Sequence, residues 1–458
     1  MFISTALVCF LNVIDMTYFI IITHVWMIHS LIDRKTIQNQ FSGVVIGGQG
    51  NSTDAGGSET NDKSTQNTNQ NNTKLHPAVL SLGLQYTTGT IRGANARTKA
   101  MLETFKIIIQ DYKPSPSTRS SSSSSSSSNN NQNNKPEDIR SSIEHDLLKP
   151  AFHYLSNSCR AHSVTMGNAF RFLKKYVIDL NRDLDLSTIQ TLTCDAIDAY
   201  IHERIVLSDE AIAKYACMKI VPGDVILTYA NSEVIQRVLL RAHQNQEESK
   251  TPSSKPSFRV IIVDSRPLLE GRKMLEVCTK AGIECTYIFL NSLSYVMKEV
   301  TKVFMGAASL MSDGSVLSRV GTASVALLAH SNNIPVLVCC ETYKITSRVQ
   351  LESITGNELG NPDDLLSTHC AIDRTRTEVE DYHSGSGSSI APDEQKEVLK
   401  DWRSIKSLKL LNLMYDLTPS KFVSGIVTEM GILPVTSVAV LLREMNTQDN
   451  DMVFKEYT

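Results

Sequence analysis

Through the second half of the chain, short apolar β-rich runs alternate with stretches whose apolar residues recur every three to four positions. The runs VILTYA (225–230), RVIIVD (259–264), CTYIFL (285–290) and PVLVCC (335–340), with a weaker ASLMS (308–312), predict strands. Between them, SEVIQRVLLRAHQ, EGRKMLEVCTKAG, SLSYVMKEVTKVF and VGTASVALLAHSNN predict helices. Near-continuous apolar strands alternating with helices imply a parallel sheet covered on both faces. The right-handed crossover rule makes that sheet a doubly wound layer. From Leu75 to about Ile220 the pattern is helical: AVLSLGLQYTTGTI, ANARTKAMLETFKIIIQDY, SIEHDLLKPAFHYL, VTMGNAFRFLKKYVIDL, then one long helix ending in KYACMKI. Ile197, Ile201, Ile205, Ile212 and Tyr215 make one stripe along that last helix. The expected class is α/β: an N-terminal helical domain (75–220) followed by a Rossmann-like doubly wound parallel sheet domain (221–458).

Polar stretches interrupt this pattern. Residues 36–74, rich in Gly, Asn, Ser, Thr and Gln, predict a disordered low-complexity linker. Pro114, Pro116, the serine run 120–128 and NNNQNN predict a flexible insert over 113–136. Further loops are expected at 244–257 and 378–395. Residues 1–35 are apolar, and Met16 to Ile32 carry no Asp, Glu, Lys or Arg. Three readings stay open there: a membrane anchor, a segment packed on a partner, or a start foreign to the functional protein. Asp15 and two histidines weigh against the anchor, and Met1 to Ile14 lack the positive charge of a secretory signal.

The 458 residues allow about three domains. With 41% hydrophobic residues and a net charge of −3, the chain is neither globally disordered nor a multi-span membrane protein. That balance gives no general electrostatic reason to bind nucleic acid. Nine cysteines at scattered spacings, with no C-x-x-C, predict reduced thiols and no metal site.

In doubly wound sheets ligands sit beyond the carboxyl ends of the strands. The loops there carry Asp264-Ser265-Arg266, Ser318-Arg319-Val320-Gly321-Thr322 and Glu341-Thr342-Tyr343-Lys344. Arginines and helix N-terminal amides at such ends favour phosphate or carboxylate. The competing reading pairs Arg266 and Arg319 with Asp264, Asp313 or Glu341. Neither a G-x-G-x-x-G nor a Walker loop follows the first strand, so no nucleotide cofactor is expected.

VDSRPLLEGRKM, SDGSVLSRVGTASVAL, PVLVCCETYK and LLNLMYDLTP, in this order, resemble one family. It comprises the alpha, beta and delta regulatory subunits of eukaryotic translation initiation factor 2B and the related sugar-phosphate isomerases. HPAVLSLGLQYTTGTIRGANARTKAMLETFKIIIQDY (76–112) and NPDDL (361–365) are most similar to the delta branch. The resemblance covers about 76–112 and 137–445. It implies a non-catalytic cytosolic subunit of the exchange complex, with the exchange chemistry in the epsilon subunit. Its implied partners are the alpha, beta, gamma and epsilon subunits and initiation factor 2, especially its alpha subunit. A membrane partner is not expected.

The isomerases use a Cys and an Asp at T-x-C-N and G-A-D. The matching stretches here end in Ala230-Asn231 and Ala307-Ala308, and Ser318-Arg319 replaces Asn-Lys. Alanine cannot transfer a proton, so the alternative of a methylthioribose-1-phosphate-like isomerase is disfavoured. Ser265, Arg266, Arg319, Gly321 and Thr322 then resemble an inherited phosphate cradle. On the long helix, His202-Glu203-Arg204-Ile205-Val206-Leu207 matches the delta pattern. The resemblance places Glu203 and Leu207, which are four apart on one helix face, at the contact with initiation factor 2 alpha. The family's polar N-terminal extension is replaced here by the apolar segment.

Overall fold

The computed structural model describes residues 75–113, 138–248, 257–366, 399 and 401–444, all within one compact unit. The apolar segment 1–35, the linker 36–74, nearly all of the insert and the loop at 378–395 lie outside the described residues.

Helices come first. α1 (Pro77–Thr87) starts on a proline, with His76 Nδ1 accepting the Ala78 amide at 3.2 Å. α2 spans Ala94–Gln110. A continuous helical rod follows, from α3 (Ile139–Ser142) through α4 (Lys149–His153), with wider π turns at Ile143–Leu148 and Tyr154–Cys159. Ser163 caps α5 (Val164–Asp179) and Asp185 caps α6 (Leu186–Tyr200), each accepting an amide of the first turn. A π turn, Ile201–Leu207, joins α6 to α7 (Ser208–Cys217). The expected long helix is therefore one helix with a widened turn in its middle. Met101, Phe105, Ile109, Leu155, Leu173 and Ile197 are fully buried in this half. Each contributes about 2 kcal/mol of apolar burial.

The α/β half has a seven-stranded sheet ordered β11-β10-β7-β4-β1-β2-β3. Its strands are β1 (Val225–Tyr229), β2 (Arg259–Asp264), β3 (Glu284–Phe289), β4 (Lys302–Gly306), β7 (Val336–Cys339), β10 (Gly425–Thr428) and β11 (Gly431–Leu433). All pairs are parallel except β10 with β11. Around it run α8 (Glu233–Glu248), α9 (Gly271–Lys280), α10 (Leu293–Val296) and α11 (Thr322–Ser331). The order runs outward from β1 to β3 on one side and from β4 to β10 on the other. The topological switch point therefore lies between β1 and β4, and the crevice opens there.

Three expectations change. SLSYVMKEVTKVF is not one helix: α10 covers only Leu293–Val296, and KVFMG is β4. A five-residue run buried on both faces has no period that separates it from a helix end. ASLMS does form a strand, β5 (Ser309–Met311), but in a second sheet, β8-β5-β6-β9, with β6 (Val316–Arg319), β8 (Ile345–Thr346) and β9 (Tyr415–Thr418). The loop expected from 244 starts later, because α8 continues to Glu248.

Candidate functional site

A cavity of about 860 Å³ occupies the crevice. Ala230 and Asn231, just beyond β1, line it, and so do Gly306, the last residue of β4, and Ala307 and Ala308 after it. Adjacent parallel strands bring the two alanines to one cavity although nearly eighty residues separate them. No carboxyl or thiol stands at either position. Ala230 also holds a left-handed φ of 54°, which a non-glycine residue keeps only when its surroundings fix it. Arg92, Arg272, Lys273, Arg319 and Lys344 line the walls together with Glu233, Glu270 and Glu276. The N-terminus of α2 reaches the cavity without a side-chain cap.

Of the five loop residues, Arg319 lines the main cavity. It joins Ser265 and Arg266 around a small neighbouring pocket of about 20 Å³. The Ser265 hydroxyl lies 2.6 Å from that of Tyr229. Arg319 is held by Glu270, Nε to Oε2 at 2.8 Å and Nη2 to Oε1 at 2.6 Å, and its guanidinium lies 5.3 Å from the centre of the Tyr415 ring. The competing pairing is thus right in kind for Arg319, but its acid is Glu270. Asp264 instead accepts from the Ser265 amide and the Tyr287 hydroxyl. Asp313 accepts from Ser315, and Glu341 pairs with Lys344. Burial opposes the charge on Arg319, but Tyr415 and Glu270 hold its pKa above the usual arginine range.

The N-terminus of α11 is likewise occupied. Asp416 Oδ2 accepts the Gly321 amide at 2.7 Å and the Ala323 amide at 3.0 Å. Burial pushes the Asp416 carboxyl up to about 6, against the pull of these two amides. Thr322 turns its hydroxyl to the Arg319 carbonyl at 2.6 Å. At Gly321, φ is 107° and a Cβ would come within 2.4 Å of Tyr229 Oη. Two carboxylates of the chain itself therefore engage these donors: Glu270 takes Nε and Nη2 of Arg319, and Asp416 takes the Gly321 and Ala323 amides. Sequence reasoning missed both roles. The residues stand inside motifs already quoted, but their partners lie 49 and 95 positions away.

Glu203 and Leu207 sit on the π turn between α6 and α7. Glu203 is exposed, and Leu207 is 44% exposed. Ile205, between them, is buried, so the turn presents an acid and an aliphatic residue outward from a fixed base. π turns recur at functional sites. No helix among the described residues is long and apolar enough to cross a membrane, and seven cysteines among them are free thiols.

Fold and site together define a helical plus Rossmann-like protein whose crevice at the switch point is lined by Ala230 and Ala308. Residues 90–435 match the model of the Initiation factor 2 subunit family, and the chain belongs to that family. It is 40% identical over 370 residues to the "Translation initiation factor eIF2B subunit delta" of Dictyostelium discoideum, covering 81% of this chain and 51% of that protein. The protein of the same name from Schizosaccharomyces pombe is 40% identical over 371 residues, 81% of this chain and 69% of that one. The chain thus spans about half of the first relative and 69% of the second. Among solved structures, the tetrameric eIF2B-beta2-delta2 complex from C. thermophilum is similar, with a TM-score of 0.59 and 26% identity, covering 78% of this chain and 92% of that one.

Proposed function

We propose that the chain is a non-catalytic regulatory subunit of the translation initiation factor 2B exchange complex, of the delta type. It assembles in the cytosol with alpha, beta, gamma and epsilon subunits and does not itself catalyse exchange. The observation that carries this reading is the pair Ala230 and Ala308 facing one crevice, in a chain whose 40%-identical relatives are named as delta subunits. In this reading Glu203 and Leu207 meet the alpha subunit of initiation factor 2. Phosphorylation of that partner favours a different arrangement of the complex, and the population shifts by the difference in affinity. Ser265, Arg266, Arg319, Gly321 and Thr322 are the remains of a phosphate cradle, now filled from within by Glu270 and Asp416. Purification of the tagged full chain from its own cells, with native mass measurement, tests the assignment. Four companion subunits in a complex of several hundred kilodaltons are expected, and a lone homodimer would overturn it.

The basic side chains among the cavity's lining residues favour one second reading, a sugar-phosphate isomerase. It requires a proton donor and acceptor that the two alanines do not supply. Incubation with methylthioribose 1-phosphate or ribose 1,5-bisphosphate should yield no ketose. Its appearance would restore the enzymatic reading.

A further inference from the structure

We propose that Asp209 is a positioning residue for the partner-facing turn, tying that helix to the sheet through one proton shared with Glu341. The proposal rests on the assignment of Glu203 and Leu207 as the contact. Asp209 lies two residues beyond Leu207, in the first turn of α7, and is 1% exposed. Glu341, just past β7, is 0% exposed. The two carboxyls are within hydrogen-bonding contact. With both ionised, Asp209 Oδ1 has no donor, and two negative charges would touch in a dry interior. One proton between them removes the repulsion and turns one carboxyl into a donor toward the other.

The surroundings fix where that proton sits. Lys344 Nζ lies 2.6 Å from Glu341 Oε2, and Asn95 of α2 donates to Glu341 Oε1 at 2.6 Å. The Tyr343 hydroxyl donates in turn to Asn95 Oδ1 at 2.7 Å. Arg237 of α8 is 3.6 Å from Asp209 Oδ2 but is half exposed to water. Burial raises Cys339, Cys340 and Tyr343, which stay neutral, and Tyr200 of α6 adds a further phenol. Glu429, past β10, is bound to Thr342. Burial works against the charge of Glu341, but Lys344, Asp209 and Asn95 hold its carboxyl below the usual range. Burial first and Glu341 second push Asp209 up to about 8. The proton therefore resides on Asp209. The joint is firmest below the ordinary carboxyl range, loosens progressively as pH rises above it, and has lost this contribution once pH passes about 8. Lys344 and Asn95 also line the crevice, so the joint shares two side chains with the cavity wall.

Hydrogen–deuterium exchange of residues 201–217 in the full chain, corrected for the intrinsic effect of pH, reads the joint directly. Between about pH 7 and about pH 9, wild-type protection should fall about tenfold. Asp209→Asn, which keeps a neutral donor, should hold its protection across that range, whereas Asp209→Ala should lose it at both ends. Wild-type protection that stays flat, or an Asp209→Asn curve that follows the wild type, overturns the proposal. Should Asp209→Asn fail to fold, Glu341→Gln removes the second charge and must flatten the curve. Binding of initiation factor 2 alpha, measured over the same range, should follow protection. Protection that changes while binding stays constant leaves the joint standing and removes Glu203 and Leu207 as the contact.

Discussion

Glu270 holds Arg319 at two points, Oε2 2.8 Å from Nε and Oε1 2.6 Å from Nη2, so an arginine at the mouth of the crevice meets a carboxylate of its own chain. The pair is largely buried, with side-chain exposures of 15% for Arg319 and 13% for Glu270. Removing one partner leaves an uncompensated charge. Glu270→Gln should therefore lose about 3 kcal/mol in a urea denaturation series. Inorganic phosphate should restore part of that loss in the variant and do little for the wild type. Equal responses of the two proteins to phosphate would mean that Glu270 does not fill the cradle.

Gly321 makes the turn into α11 at a φ of 107°, with Tyr229 Oη 2.4 Å from where a Cβ would stand. Gly321→Ala combines backbone strain with a collision against a buried ring, and should lower stability by about 2 kcal/mol or more. A thermal shift within error of the wild type would show that the turn relaxes freely.

Burial pushes the Asp416 carboxyl up to about 6 in the folded chain, against about 4 when unfolded. A raised carboxyl is fully stabilising below the unfolded value and loses that contribution as pH rises through the folded one. Stability should therefore fall by about 3 kcal/mol between about pH 4 and about pH 6 from this group alone. Asp416→Asn keeps an oxygen for the Gly321 and Ala323 amides and removes the titration. The difference between the urea midpoints of wild type and variant, taken across that range, isolates this slope. A constant difference would place the titration elsewhere.

Leu207 and Glu203 are exposed, so substitutions there should separate binding from folding. Leu207→Ala and Glu203→Lys should each weaken binding of initiation factor 2 alpha about tenfold and change stability by less than about 0.5 kcal/mol. Unchanged affinity in both, measured in the assembled complex, would remove this face as the contact.

Much of the fold was legible because its periods are clean. RVIIVD is β2 without a shift in either bound, and ANARTKAMLETFKIIIQ is α2. KVFMG was not legible: no turn residue separates it from the helical pattern before it, and burial on both faces erases alternation. The second sheet was missed for a related reason. Its strands are two to four residues long and, apart from the β5–β6 pair, take partners far along the chain. β6, for example, pairs Val316 with Thr418.

By itself the sequence determined the alternation that makes a parallel sheet and the apolar stripe of the long helix. It also determined the chemistry missing from the crevice, since an alanine is proton-inert wherever it lies. Only the tertiary structure decided that β1 and β4 are neighbours, that Glu270 holds Arg319 and Asp416 the N-terminus of α11, and that Asp209 lies against Glu341. Local pattern reports which face of an element is apolar. Which charges meet depends on packing between elements, and what their meeting is worth depends on how far that packing excludes water.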